Sequence, residues 1–281
     1  MRLLRILILA SVAASAVGRA LPASAQDDAE EGEFEPGESS LYGSFAFADT
    51  AGTRLLALSP LADPASIETL ITQDGRRLRV VYEGEQRETG RGDGRDAARN
   101  FPELGGQRYR IVNDRIGAEQ NCFLAGRALS VLGGPAALHR AVRSCAAPDS
   151  AALATAKRRS LARCWSLATA DPDATVQLYE VAPIGKERVA GIAVATTKAR
   201  WTLEYRARVS EEDPTTVWRV GDEGRLLPEA FDVLFLIQDG ERWLVGMAWY
   251  GQESTYLNLY RSGENGRLRS VAGAYRYLAP Y

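Results

Sequence analysis

The chain has 281 residues, with 34 basic and 36 acidic side chains, three cysteines and a single histidine. A formal charge of −2 gives no overall electrostatic footprint for nucleic acid or anionic lipid. One imidazole excludes His-rich metal sites and leaves any Ser-His-Asp system dependent on His139, which no nucleophile motif accompanies. No cofactor or metal is expected.

Residues 1–25 read as a cleavable export signal. Arg2 and Arg5 form a positive start, Ile6 to Val17 an apolar stretch, and Ala23-Ser24-Ala25 an A-x-A cleavage site. The apolar stretch is shorter than the roughly 20 residues that span a bilayer. The expected location is therefore the periplasm or the extracellular space, with no transmembrane segment in the mature chain. Cleavage removes three arginines and no acid, which takes the formal charge from −2 to −5. Residues 26–40 follow as an acidic, disordered tail, since Asp27, Asp28, Glu30, Glu31, Glu33, Glu35 and Glu38 have almost nothing to bury.

Residues 41–147 form a β-rich region. Candidate strands are Tyr42 to Ala48, Ile67 to Thr72, Arg77 to Tyr82, Tyr109 to Val112 and Asn121 to Leu124. Asp74-Gly75 between two β-prone runs is a strong hairpin signal. The stretch from Gly84 to Asn100, with glycine at 90, 92 and 94, reads as a mobile loop. Its Arg91-Gly92-Asp93 matches an integrin-type tripeptide by no more than three residues. Pro135 to Val142 reads as a short helical stretch carrying His139. Oxidising conditions outside the cytoplasm make one disulfide possible among Cys122, Cys145 and Cys164, and Cys122–Cys145 is the favoured pairing.

Residues 148–281 begin with a helix over Ala151 to Lys157, entered through Pro148-Asp149-Ser150. A strand from Leu161 to Ala168 and an antiparallel β-meander follow. Its candidate strands are Val176 to Val181, Val189 to Thr196, Trp201 to Arg206, Thr216 to Val220, Val233 to Gln238, Arg242 to Tyr250, Thr255 to Arg261 and Arg267 to Tyr277. Short links such as Asp239-Gly240 and Asn265-Gly266 leave no room for the helical crossovers of a parallel sheet. The expected fold is mainly β (α+β), antiparallel meander sheets with one or two short helices. Gln73-Asp74-Gly75-Arg76-Arg77 and Gln238-Asp239-Gly240-Glu241-Arg242 are either a trace of duplication or two independent hairpins.

Both alternating faces of Arg242 to Tyr250 are apolar, so this strand should lie centrally with packing on each side. In the next strand Leu257 and Leu259 face the core, while Tyr256, Asn258 and Tyr260 form a partly exposed strip, with Glu253 in the preceding turn. Aromatic rings stack on sugar faces and an acid accepts sugar hydroxyls. The expected function is therefore non-catalytic binding of an envelope partner, glycan or protein, through Glu253, Tyr256, Asn258 and Tyr260. Two alternatives are an envelope glycan hydrolase using acidic residues and a small outer-membrane β-barrel, suggested by alternate aromatics near the C-terminus.

Overall fold

The computed structural model describes residues 41–170, 174–211, 215–218 and 222–279. The expected export signal and acidic tail lie outside the described residues. Strands dominate and all pair antiparallel within their sheets. Six of them, β1 (Gly43–Ala48), β2 (Arg54–Ala57), β3 (Thr69–Thr72), β4 (Arg77–Gln86), β5 (Gly106–Ile111) and β6 (Asn121–Ala125), close into a barrel of order β1-β2-β5-β4-β3-β6. Period-2 alternation sends Ala46, Leu55, Leu70, Val80, Tyr109, Ile111 and Leu124 into its interior. Closure requires β1 and β6 to approach closely at Gly43. There φ is +123°, and a Cβ would stand 1.9 Å from the Leu124 carbonyl oxygen.

The remaining strands make two sheets. The five-stranded sheet has the order β11-β10-β9-β8-β7 and contains β7 (Leu138–Ser144), β8 (Leu161–Ala170), β9 (Ala174–Ile184), β10 (Glu187–Ala195) and β11 (Arg200–Arg208). The four-stranded sheet runs β12 (Phe231–Asp239), β13 (Arg242–Tyr250), β14 (Ser254–Ser262) and β15 (Leu268–Tyr277) in chain order.

The four-stranded sheet is the middle layer. Trp243, Val245 and Met247 of β13 pack with Val176, Leu178, Ile192 and Val194 of the five-stranded sheet. Leu244 and Ala248 point the other way and meet Phe45, Ile71 and Phe123 on the outside of the barrel. The two apolar faces read from Arg242 to Tyr250 therefore have a layer each. Gly246 permits the tight packing on the barrel side, since a Cβ there would fall 2.5 Å from the Phe235 ring. The two Asp-Gly hairpins join β3 to β4 and β12 to β13, in sheets of different order, which favours independent hairpins over duplication.

Several expectations need correction. Residues from Pro135 to Val142 are not helical. Leu138–Ser144 is β7, an exposed edge strand, whose mixed apolar and polar side chains are nearly all solvent-facing and do not alternate regularly. Its placement decides the disulfide. The bridge is Cys145–Cys164, with Cα atoms 5.4 Å apart, and not Cys122–Cys145. β7 lies against β8, where the Cys145 N–H donates to the Cys164 carbonyl at 3.0 Å. Cys122 instead faces the barrel interior as a buried free thiol, which burial pushes above its ordinary pKa. The bridge closes the loop around the helix α1 (Ala147–Lys157), which docks through buried Leu153 on the outer face of the five-stranded sheet.

Residues 215–218 hold no strand, so the one expected over Thr216 to Val220 does not form there, and 219–221 lie outside the described residues. The loop read from Gly84 starts later, because β4 continues to Gln86. It is also tied down: Arg95 and Arg99 pair with Asp93 at 3.4 and 3.2 Å, and the Asp96 carboxylate accepts the Tyr277 N–H at 2.9 Å.

Candidate functional site

Antiparallel register assembles the site at one end of the middle sheet. Trp249 stands opposite Tyr256, and Tyr256 opposite Tyr275, so three neighbouring strands carry one aromatic row. Phe231 extends it on β12, stacked on Trp249 with centroids 4.8 Å apart and an interplanar angle of 23°. Tyr205 leans in from β11 at 5.4 Å from Trp249, and Tyr256 and Tyr275 meet edge to face at 5.1 Å. Trp249, Tyr256 and Tyr275 are half-buried on rigid strands. Such rings offer a large apolar area with little side-chain entropy to lose on binding.

Burial increases along β14 away from this end. Tyr256 and Asn258 are half-buried, but Tyr260 is 4% exposed. This corrects the expectation of a strip exposed along its length. Alternation correctly separated Tyr256, Asn258 and Tyr260 from Leu257 and Leu259, but the five-stranded sheet covers the inner end of that face. The Tyr260 and Tyr205 hydroxyls hydrogen-bond at 2.7 Å. Burial pushes the Tyr260 phenol up to about 12, and Tyr205 also lies well above its ordinary value, from burial first and then its neighbour Tyr260. Tyr260 is thus part of the packing that holds the strip. Glu253 is exposed in the turn between β13 and β14, with its carbonyl accepting the N–H groups of Leu278 and Ala279 at 2.6 and 2.8 Å.

One residue along, the next cross-strand row is Tyr250, Thr255 and Arg276, directed to the barrel side by the same alternation. It lines a cleft of about 420 Å³ together with Gln73, Glu119 and Asn121. Arg276 is 2% exposed. Its guanidinium donates to the carbonyls of Asp96 and Glu119 at 2.6 and 3.1 Å and to Asn121 Oδ1 at 2.6 Å. It also lies 4.3 Å from the centre of the Phe47 ring. Burial lowers its pKa, opposed by the charges of Glu119 and Asp96. These bonds fasten β15 to two barrel loops, so the arginine is committed to joining layers.

Every acid from Asp222 to the last described residue is placed. Glu223, Glu229, Glu241, Glu253 and Glu264 are exposed. Asp232 lies 3.6 Å from Arg140 and also bonds Gln73, and Asp239 lies 3.7 Å from Arg261. Asp222 accepts backbone N–H groups of its own turn. Among the described residues, no three His, Cys, Asp or Glu side chains are grouped to hold a metal ion. His139 is exposed on β7.

Of the four expected binding residues, Glu253, Tyr256 and Asn258 follow one another along the turn and strand at the open end, whereas Tyr260 is core. Sequence reasoning missed Trp249 and Tyr275 as their neighbours. Counting outward from the Gly251–Glu253 turn would have paired Trp249 with Tyr256. The chain matches no protein-family model, curated protein or solved structure with which it was compared. What the fold and site define is a class: a three-layer antiparallel β-protein with an aromatic row at the end of its middle sheet.

Proposed function

We propose that this is an exported, non-catalytic binding protein that holds an envelope partner, foremost a glycan, on the row Trp249–Tyr256–Tyr275 with Asn258 and Glu253 at its margin. The observation that carries this reading is the disposition of carboxylates around an aromatic platform. A glycan hydrolase needs two carboxyl groups converging across a cleft, one of them held protonated by an apolar setting. The acids from Asp222 onward instead stand in solvent, pair with arginines or cap their own turn. A binder needs only a fixed surface of rings with polar groups beside it. The Cys145–Cys164 bridge supports an oxidising, exported location.

The test is co-sedimentation of the purified protein with peptidoglycan, run beside a pull-down from envelope extract. Tyr256→Ala and Tyr275→Ala should each lower glycan retention about two- to tenfold, the worth of one aromatic contact, with the thermal midpoint nearly unchanged. Unaltered retention in both variants would reject the row as the binding surface. Release of new reducing ends during incubation would reject the non-catalytic reading.

A further inference from the structure

The closed barrel presents two unlike arcs. Outward side chains of β1, β3 and β6, among them Phe45, Ile71 and Phe123, are buried under the middle sheet. The arc β2-β5-β4 faces away from it. Alternation puts Arg54 of β2, Arg108 and Arg110 of β5, and Arg79, Val81 and Glu83 of β4 on the outside of that arc. A solvated strand face ordinarily mixes its charges. Here four arginines surround one acid, in a chain whose acids outnumber its bases.

The geometry sharpens this segregation. Arg54 and Arg110 are direct cross-strand partners, a like-charge opposition that works against the sheet. A bulge between Tyr82 and Gly84 brings Glu83 among them. Its carboxylate lies 3.2 Å from Arg54 Nε, 3.1 Å from Arg108 Nε and 3.3 Å from Arg110 Nε. One acid thus anchors three guanidinium groups by their Nε ends. Among the described residues the Arg54 side chain donates through Nε, no hydrogen bond is made by the Nη groups of Arg54 or Arg110, and the exposed Arg79 side chain makes neither hydrogen bond nor ion pair. A cleft of about 250 Å³ adjoins them, walled by Arg54, Arg99 and Arg108 with Pro102 beside them and Asp49 as the opposing charge. It is smaller than the roughly 300–1,000 Å³ of drug-sized sites and suits a single small ring.

We propose that this outer arc binds an acidic glycan, its carboxylate, sulfate or phosphate groups taken by the Nη forks of Arg54 and Arg110 and by Arg79, with Arg108, whose Nη1 also donates to Gln86 Oε1 at 3.2 Å, beside them and one sugar ring in the adjoining cleft. Guanidinium forks match the oxygen geometry of these groups. The strands space the donors about 5 Å apart across the sheet and about 7 Å along it, a grid suited to a chain that repeats its charge. Glu83 is the positioning residue, since it holds the arginines while removing one unit of the charge they present.

The experiment is affinity of the purified protein for polygalacturonate, with dextran as the neutral control, heparin and inorganic polyphosphate as sulfate and phosphate arms, and duplex DNA as competitor. Polygalacturonate or heparin should be held at low salt, with binding lost as salt rises, and dextran should not be. Arg79→Ala and Arg110→Ala should each weaken binding about fivefold, the scale of one exposed charge contact. The Arg79 side chain is exposed and has no ion pair among the described residues, so its variant should fold normally. Glu83→Gln should bind more tightly, a direction that a folding defect would not produce. Dextran retained as well as the polyanions, affinity unmoved in Arg79→Ala and Arg110→Ala, or polyphosphate or DNA competing as well as the acidic glycans would each overturn the proposal.

Discussion

The barrel and the middle sheet solve the same burial problem differently. Barrel strands bury one face inward and, along β2-β5-β4, leave much of the other to charge, as with Val80 inside and Arg79 outside, although Leu56 on that outer face is covered by Phe101. Strands of the middle sheet bury both faces, as with Val245 toward the five-stranded sheet and Leu244 toward the barrel. A one-faced strand has a free surface on which charges can be arranged. A two-faced strand has only its ends, which is where Trp249, Tyr256 and Tyr275 emerge.

The largest expected effect tests the two-faced layer. Trp243→Ala should cost about 3–5 kcal/mol, read as a shift in the urea midpoint, because Trp243 is 4% exposed within the sandwich core. Next comes the staple over α1. Cys164→Ser should lower stability by about 3 kcal/mol through the freed loop, and non-reducing peptide mapping of the native protein should join the Cys145 and Cys164 peptides while Cys122 stays alkylatable after unfolding.

Alkali should act through the buried tyrosines of the sandwich. Tyr205 and Tyr260 keep their protons in the folded protein at pH values where an unfolded tyrosine, of ordinary pKa about 10, has lost its own. The contribution of Tyr260 is therefore fully present below about pH 10 and declines as pH rises through about 12, and that of Tyr205 declines in the same direction. Urea midpoints measured from pH 8 to 12 should fall over that window, and fall less steeply in Tyr260→Phe. The smallest effect belongs to the barrel's open arc. Val81→Ala, at a side chain 38% exposed, should change stability by less than about 0.5 kcal/mol.

The parts legible in the sequence are those where local signals and burial agree. Arg242 to Tyr250 matches β13 from end to end, and Asn265-Gly266 forms its turn with φ of +60° and +69°. β2 was missed because its four residues stand without a hairpin signal such as the Asp74-Gly75 turn that marks the equally short β3, and β7 because an exposed edge strand need not alternate. The disulfide followed from that second omission, since Cys145 is placed beside Cys164 by β7 alone. For the candidate site, alternation separated the two sides of β14 and grouped Tyr256 with Asn258. It carried no information on which layer covers each side, so Tyr260 was misplaced. Arg276 was invisible too: two of its three acceptor residues, Asp96 and Glu119, offer backbone carbonyls, which no side-chain pattern announces.

The middle sheet serves as a wall of both cores, so barrel and sandwich should unfold as one cooperative unit. All five tryptophans, at 165, 201, 218, 243 and 249, lie beyond the barrel, and tryptophan emission therefore reports the sandwich alone. Hydrogen exchange of the barrel amides around Tyr109 and Phe123, followed through the same urea titration, reports the other region. One shared midpoint is expected for both signals. A barrel that loses protection at a clearly different urea concentration from the tryptophan transition would contradict it.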